Sequence, residues 1–284
     1  MSSIDFERFL EKLSSISERD YIDPASLQWP EVIDDDAWYF TPELISIYGS
    51  DTWHSMNEAH QKRLSFFEAV NFFSLNVHGE KYLISEVSRR LFDSDNAKLS
   101  SYLLHFVDEE SRHMMYFSGF CQRYAGVIYP DRTIHGTDSD DAEYDMFMLF
   151  ARINVFEEIV DHYNKTMASD ERLAPIVREI NRIHHVEEVR HLAFGRKFLK
   201  QCLDRNISTW GVSRRAELQS SLMDYLDYVW KEYYNPRVYK DAGLTDAFQL
   251  WKATANSQTA AHHRTTVNRE RLKFLTKLNL LEAA

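Results

Sequence analysis

Cysteine, glycine and proline are all scarce in this sequence. Its 284 residues include only 2 cysteines, 8 glycines and 6 prolines. Cys121 and Cys202 form no C-x-x-C pair, which argues against a disulfide framework and predicts a reducing, cytoplasmic location. Few turn-forming residues, together with 44% hydrophobic and 14% aromatic residues, favour long helices around a large core over a turn-rich β fold.

Long apolar runs and a basic surface are lacking as well. No run of about 18 apolar residues occurs, and residues 1–20, MSSIDFERFLEKLSSISERD, are polar and amphipathic, which is not typical of a signal peptide. The formal net charge is −11, which opposes binding to the phosphate backbone of a nucleic acid. We therefore expect neither a nucleic-acid partner nor a membrane partner.

The stretch HHVEEVRH at residues 184–191 places three histidines and two glutamates between apolar segments. Each residue of a helix turns the side-chain direction by about 100°, so one apolar line also contains His184, Glu188 and His191. Buried imidazoles and carboxylates are costly unless they are paired, and a metal ion could satisfy all three. The residues off this line are predicted to face solvent or to support the ligands: His185, Glu187 and Arg190.

The pattern E-E-x-R-H occurs a second time, as EESRH at residues 109–113 against EEVRH at 187–191. There Glu110 and His113 interrupt another apolar stripe at helical spacing. One Glu-x-x-His pair arises often by chance, but two pairs that are each embedded in a core stripe indicate a metal site.

Dinuclear sites in helix bundles need a further carboxylate from each of two other helices. Glu80 lies 30 residues before Glu110, and Glu157 lies 31 residues before Glu188, each on an apolar stripe. The adjacent Glu158 shares its face with polar residues, so it is predicted to remain in water. The repeated unit predicts two pseudo-equivalent helical hairpins that face each other across one site.

The chemistry of the predicted ligands indicates the metal. Four carboxylates and three imidazoles without a thiolate favour iron or manganese over structural zinc or copper, and seven ligands suit two ions. We expect two iron ions rather than manganese, with O₂ as the small ligand. Four converging glutamates would repel one another without cations, so metal binding should be coupled to folding. The predicted metal ligands are Glu80, Glu110, His113, Glu157, His184, Glu188 and His191.

The ligand spacing predicts a single all-α domain over residues 1–284, with a bundle core at about 58–203. A Trp- and Pro-containing irregular stretch at residues 27–53 leads to a second helix, and YPDRTIHGTDSDDAEY, residues 129–144, is predicted to be a loop. The other helices are predicted at about 4–18, 58–93, 96–125, 141–168, 170–203, 212–233 and 244–278.

The paired units, with an additional histidine one turn before the second Glu-x-x-His, resemble the p-aminobenzoate N-oxygenase family. These arylamine N-oxygenases are non-haem di-iron enzymes with a ferritin-like core. NPRVYKDAGL at residues 235–244 is also similar to that family. The resemblance implies a ferritin-like four-helix bundle carrying a dinuclear metal site, with additional N- and C-terminal helices.

The resemblance also implies a role for each ligand. Glu110 and Glu188 would bridge the two irons, Glu80 and His113 would complete one of them, and the other would be completed by Glu157, His184 and His191. The implied activity is that of a non-haem di-iron monooxygenase. It would activate O₂ and oxygenate a small, partly apolar substrate, an (aryl)amine at nitrogen, with electrons from an external donor.

Other functions use similar ligands and stay open at this point. They are a di-iron hydroxylase or desaturase acting on carbon, a radical-generating di-iron enzyme, a ferritin-like ferroxidase or iron-binding protein, and a non-catalytic scaffold. His184 argues against the ferritin-like alternative and against a radical-generating or desaturating enzyme. No catalytic residue is predicted beyond the metal ligands, and a homodimer is possible.

Four residues near the predicted site allow two interpretations each. Asn76 could donate a hydrogen bond to a ligand or make a local helix contact. Gly195 could leave room for substrate or O₂, or allow close helix packing. Tyr116 and Tyr163 could be redox-active, but packing roles are favoured because the chain has 15 tyrosines.

Overall fold

The computed structural model describes residues 3–92, 97–130, 141–206 and 210–281, and within them eleven α-helices. Four of these helices, α3 to α6, are far longer than most of the others and form the bundle. The helices are α1 (Ser3–Arg19), α2 (Asp51–Ser55), α3 (Glu58–Arg89), α4 (Ala97–Phe120), α5 (Ala142–Ser169), α6 (Pro175–Asn206), α7 (Val212–Glu232), α8 (Pro236–Asp241), α9 (Ala247–Ala255), α10 (Gln258–Arg271) and α11 (Lys273–Lys277).

The bundle consists of two helical hairpins, as the sequence predicts. α3 packs extensively on α4, and α5 packs even more extensively on α6. Large side chains such as Phe73, Phe106 and Phe150 fill the space between the hairpins and are almost fully buried. The predicted all-α four-helix bundle is therefore confirmed.

Local sequence signals set the starts of the bundle helices. The side chain of Asn57 accepts a hydrogen bond from the His60 amide at the start of α3, and Asp141 accepts one from the Tyr144 amide at the start of α5. α6 begins at Pro175, not at the predicted residue 170, because residues 171 and 172 form a turn and Leu173 pairs with Trp38 in an isolated β-bridge. There the Ala174 amide donates to the Trp38 carbonyl at 2.8 Å, which joins the irregular stretch to the α5–α6 turn.

The prediction of one long C-terminal helix over 244–278 is wrong. The segment forms α9, α10 and α11, because Asn256 ends the first of them and the Ser257 side chain caps the second. α10 lies on the outer face of α5, where the Tyr163 hydroxyl and His263 Nε2 are 2.8 Å apart. The C-terminal helices therefore cover a face of α5 that the isolated pattern suggests is exposed.

Three further predictions concern the remaining chain. Most of the predicted loop 129–144, namely residues 131–140, lies outside the described residues. Cys121 and Cys202 are both buried free thiols, consistent with roles as small core residues. In the described part of the chain, no helix combines the length and the hydropathy needed to cross a membrane.

Candidate metal centre

The seven residues predicted as metal ligands meet in the middle of the bundle. α3 contributes one of them, α4 two, α5 one and α6 three, and each side chain is at most 3% exposed. Their ligand atoms form three overlapping groups in which all atoms lie within 4.8 Å of one another. The groups are Glu80–Glu110–His113–His184, Glu110–Glu188–His191 and Glu157–His184–Glu188. The structure therefore brings all seven predicted residues together.

Glu110 and Glu188 occupy the centre of this cluster. His191 Nδ1 lies 2.9 Å from Glu110 Oε1 and 3.0 Å from Glu188 Oε1. His113 Nδ1 lies 2.8 Å from Glu110 Oε2 and 3.6 Å from Glu188 Oε1. Each of the two carboxylates thus faces the Nδ1 atoms of both histidines. The bridging role that the resemblance implies for them stays a prediction.

Several carboxylate oxygens in the cluster are buried without a hydrogen-bond partner among the described residues. They include both oxygens of Glu157 and one oxygen each of Glu80 and Glu188. Burial, together with the charges of the neighbouring glutamates, raises the pKa of Glu80 and Glu157 well above the usual range. Such groups are costly unless cations or protons compensate them, so the donor set fits a pair of metal ions.

His184 approaches the cluster from one turn before Glu188. Its Nε2 atom lies 3.3 Å from Glu80 Oε1 and 3.4 Å from Glu188 Oε1. Burial, reinforced by the charge of His113, holds the pKa of His184 well below its usual value, which favours the neutral imidazole that binds metals. His184 belongs to ligand groups on both sides of the cluster, so its assignment to one particular ion stays a prediction.

The other ring nitrogen of His184 meets the side-chain amide of Asn164, which is fully buried. The amide nitrogen Nδ2 faces Nδ1, and the amide oxygen has no partner among the described residues. When a rotation of the side-chain amide exchanges these two atoms, the oxygen accepts the Nδ1 proton and the lone pair on Nε2 faces the carboxylates. Asn164 is a functional candidate that the sequence analysis missed.

Two further glutamates hold the outer nitrogens of the other histidines. His191 Nε2 lies 2.7 Å from Glu109 Oε2, and His113 Nε2 lies 2.9 Å from Glu187 Oε2. Each Nε2 proton is donated to a carboxylate, so Nδ1 is the nitrogen of each ring that faces the cluster and would bind a metal ion. The first glutamate of each E-E-x-R-H copy accepts a hydrogen bond from the histidine of the other copy. These contacts therefore cross between α4 and α6.

The arginines of the two motifs follow the same crosswise rule. Arg112 donates to Glu187 at 2.8 Å, and Arg190 donates to Glu109 at 2.5 Å. Burial alone would raise the pKa of Glu109, but His191 and Arg190 outweigh it and lower this pKa to about 2. Glu187 and Arg190 are therefore buried and support the metal ligands. Of the two alternatives predicted for them, contact with the ligands is found and exposure to solvent is not.

The prediction that Glu158 remains in water is wrong. Its side chain is buried, and it accepts hydrogen bonds from Arg196 of α6, while Arg271 of α10 lies at its other side. The error has a physical cause, because α10 covers this face of α5 and supplies a cation there. His185, also off the ligand line, pairs with Asp161 on the same covered face at 2.5 Å.

Two of the ambiguous residues near the site have packing roles. A Cβ atom at Gly195 would collide with the side-chain amide of Asn154, so this glycine permits close contact between α5 and α6. Asn76 donates a hydrogen bond to the Phe72 carbonyl at 2.7 Å, which is a local helix contact.

The sequence is similar to known proteins over most of its length. A family model described as p-aminobenzoate N-oxygenase AurF matches residues 4–278. Uncharacterised proteins of Mycobacterium tuberculosis and Mycobacterium bovis are each 24% identical over 220 residues, which cover 72% of this chain. The match spans 64% of the length of these relatives.

Solved structures of R2-like ligand-binding oxidases have a similar fold. One with an aerobically reconstituted metal cofactor after photoconversion is 15% identical with a TM-score of 0.54, and the match covers 97% of this chain and 94% of that one. Another, with an aerobically reconstituted Mn/Fe cofactor after a long soak, is 14% identical with a TM-score of 0.54, at 99% and 96% coverage. At these identities the likeness supports the ferritin-like fold.

Proposed function

The chain belongs to the p-aminobenzoate N-oxygenase family, and on that premise we propose that it is an O₂-dependent di-metal oxygenase with iron at both metal positions. The observation that carries the proposal is the set of buried, unpartnered carboxylate oxygens that converge with imidazole nitrogens. The residues that would hold the ions are Glu80, Glu110, His113, Glu157, His184, Glu188 and His191.

Iron(II) at such a site would supply electrons and open coordination positions for O₂. The chain contributes the geometry and the charge balance. Glu109 and Glu187 fix the tautomer and the ring orientation of His191 and His113. The carboxylates of Glu80, Glu110, Glu157 and Glu188 would balance the four positive charges of two iron(II) ions, and the apolar packing around them excludes bulk water.

A cavity of about 510 Å³ provides a place for the substrate. Its wall includes Gly79 and Phe156, which immediately precede Glu80 and Glu157 in the sequence, while none of the seven predicted ligands lines it. The Phe156 ring packs so closely on Gly79 that a Cβ there would lie 2.5 Å from two ring carbons. The remaining aromatic lining favours a small, partly apolar substrate and consists of Tyr82, Tyr225, Tyr228 and Tyr233.

The atom that receives oxygen is proposed from the family, as the nitrogen of an (aryl)amine. Transfer of one oxygen atom from O₂ to an amine nitrogen forms an N–O bond and reduces the second oxygen atom to water. The balance requires two electrons and two protons from outside the substrate. We therefore propose an external electron donor as a partner.

The test uses the full chain loaded with iron(II) under anaerobic conditions. We expect two irons per chain and, after exposure to O₂ with a reductant, an N-oxygenated product from aniline-type substrates but no product from the matching phenols or toluenes. Glu43→Gln is a suitable control, because this glutamate is half-exposed and pairs with Arg172 away from the bundle centre. Saturation at one ion, or mineral growth without product, would contradict the proposal.

A further inference from the structure

A second cavity, of about 270 Å³, lies outside the metal centre. Residues 40–48, α3, α5, the segment after α7, and α10 line it. Glu68 of α3 is part of the wall, and its side chain is only 4% exposed. Both hydrogen bonds that Glu68 accepts, from the amide of Ser46 at 3.2 Å and from its hydroxyl, go to Oε1.

The second carboxylate oxygen of Glu68 has no hydrogen-bond donor among the described residues. Burial raises the pKa of Glu68 to about 7, although the Ser46 hydrogen bonds act in the opposite direction. No lysine or arginine belongs to the cavity lining. His263 supplies no positive charge either, because burial lowers its pKa to about 4, and His262, the other histidine of the lining, is exposed to solvent. A buried carboxylate that faces a cavity without a counter-charge is costly.

Aromatic rings form a large part of the remaining lining. Tyr163 stacks on Phe72 with ring centroids 5.5 Å apart and lies 4.8 Å from the ring of Tyr233, and Phe40 lies 6.0 Å from Tyr163 on the other side. Aromatic rings beside a carboxylate are the surroundings that organic cations prefer. A calcium or magnesium ion would need about six oxygen ligands. The Glu43 carboxylate of the lining is paired with Arg172, and Glu68 with a few neutral groups does not provide them.

We propose that this cavity binds a small organic cation whose primary ammonium group donates to Oε2 of Glu68 and whose apolar part packs on the aromatic wall. The site is separate from the metal centre, since Glu68 precedes Glu80 by 12 residues of the same helix, a rise of about 18 Å. An ammonium nitrogen held at Glu68 is too far away to receive oxygen. Tyr233 lines both this cavity and the 510 Å³ cavity, so an occupant here contacts a wall of the proposed substrate site.

The experiment is a calorimetric titration of the full chain, both metal-free and iron-loaded, with benzylammonium as the probe and benzyl alcohol as its neutral isostere. We expect benzylammonium to bind both forms and benzyl alcohol to bind at least tenfold more weakly. Glu68→Gln should weaken benzylammonium binding at least tenfold, because a charge-assisted hydrogen bond is lost. Its amide oxygen still accepts from Ser46, so the fold is retained, which circular dichroism checks.

Glu43→Gln is the matched control, because Glu43 lines the same cavity but is half-exposed and paired with Arg172. Its affinity for benzylammonium should equal that of the wild type. Absence of binding, equal binding of the alcohol, or an affinity that survives Glu68→Gln would overturn the proposal. Since the metal-free protein is titrated, none of these outcomes depends on whether the chain is an oxygenase.

Discussion

The adjacent residues Glu157 and Glu158 should respond in opposite ways to the same substitution. Both oxygens of Glu157 are buried without a partner among the described residues, and burial followed by the charges of Glu188 and Glu110 raises its pKa. Glu157→Leu removes this uncompensated group. We expect the free energy of unfolding of the metal-free protein to rise by about 1–3 kcal/mol at pH 7, the cost of an unsatisfied buried polar group.

The pH dependence of this gain has a definite sign. An acid whose pKa is raised by folding binds its proton more tightly in the folded state, so its contribution to stability is lost as the pH rises above the unfolded value, 4.5 for Glu157. Glu157→Leu has no carboxyl group at this position, so its free energy of unfolding does not fall in this way as the pH rises. The stability difference between Glu157→Leu and the wild type should therefore grow from pH 5 towards pH 8.

Glu158→Leu should have the reverse effect. It leaves Arg196 without its carboxylate, while Arg271 loses one of two and keeps its pair with Asp161. The loss of the Arg196 pair destabilises the protein. Because the Arg196 side chain is 42% exposed, the loss should lie between that of a surface pair and that of a buried pair, at about 1–3 kcal/mol. Metal binding should stay at two ions per chain, whereas Glu157→Leu should lose at least one ion.

Two measurements decide this comparison. Urea unfolding followed by circular dichroism gives the free energy of unfolding of the metal-free proteins, and chelator competition gives the number and affinity of the bound irons. If Glu157→Leu destabilises the metal-free chain as much as Glu158→Leu does, or keeps two tightly bound irons, the assignment of Glu157 as the inward carboxylate is refuted.

Three other predictions test separate parts of the structure. His184→Ala should keep its fold and bind iron weakly through the remaining residues, but the product formed per bound iron should fall; wild-type turnover per iron would contradict the assignment of His184. Gly195→Ala should lower the melting temperature, at a cost of about 1–3 kcal/mol from overpacking, and adding Asn154→Ala should restore most of it; an additive loss would exclude this contact as the cause. Folding raises the pKa of Glu68 from 4.5 to about 7, so this group should cost the wild type about 3 kcal/mol of stability as the pH rises from 4.5 to 7. In urea unfolding, Glu68→Gln should show a smaller fall in the free energy of unfolding over this pH range.

Helical spacing in the sequence predicts which residues of each bundle helix face the interior, for a simple physical reason. Apolar residues at helical spacing fix which way a helix faces, and an ionisable residue on that line must be buried with it. His184, Glu188 and His191 could be selected in this way before any contact was known. The same periodicity also predicted the bundle helices to within a few residues at most of their ends.

Contacts between different helices could not be predicted from the sequence in this way. Glu109 and Glu187 lie one residue before the inward line, and their burial depends on how α4 and α6 cross. The burial of Glu158 depends on Arg271, which is more than a hundred residues away in the sequence. Helical spacing within one segment carries no information about such distant partners. The repeated E-E-x-R-H pattern was the available signal for Glu109 and Glu187, because the first glutamate and the arginine recur with the ligands.

The crosswise contacts between α4 and α6 make the E-E-x-R-H motif self-complementary. Glu109 binds the histidine and the arginine of the other copy, and Glu187 does the same in return. A motif with this property is satisfied by any second copy of itself that is related by a two-fold axis. A single hairpin with one motif could therefore build the whole arrangement by dimerising with an identical chain. The present protein has the interior of such a symmetric dimer, built from two tandem halves that remain free to diverge outside their shared interface.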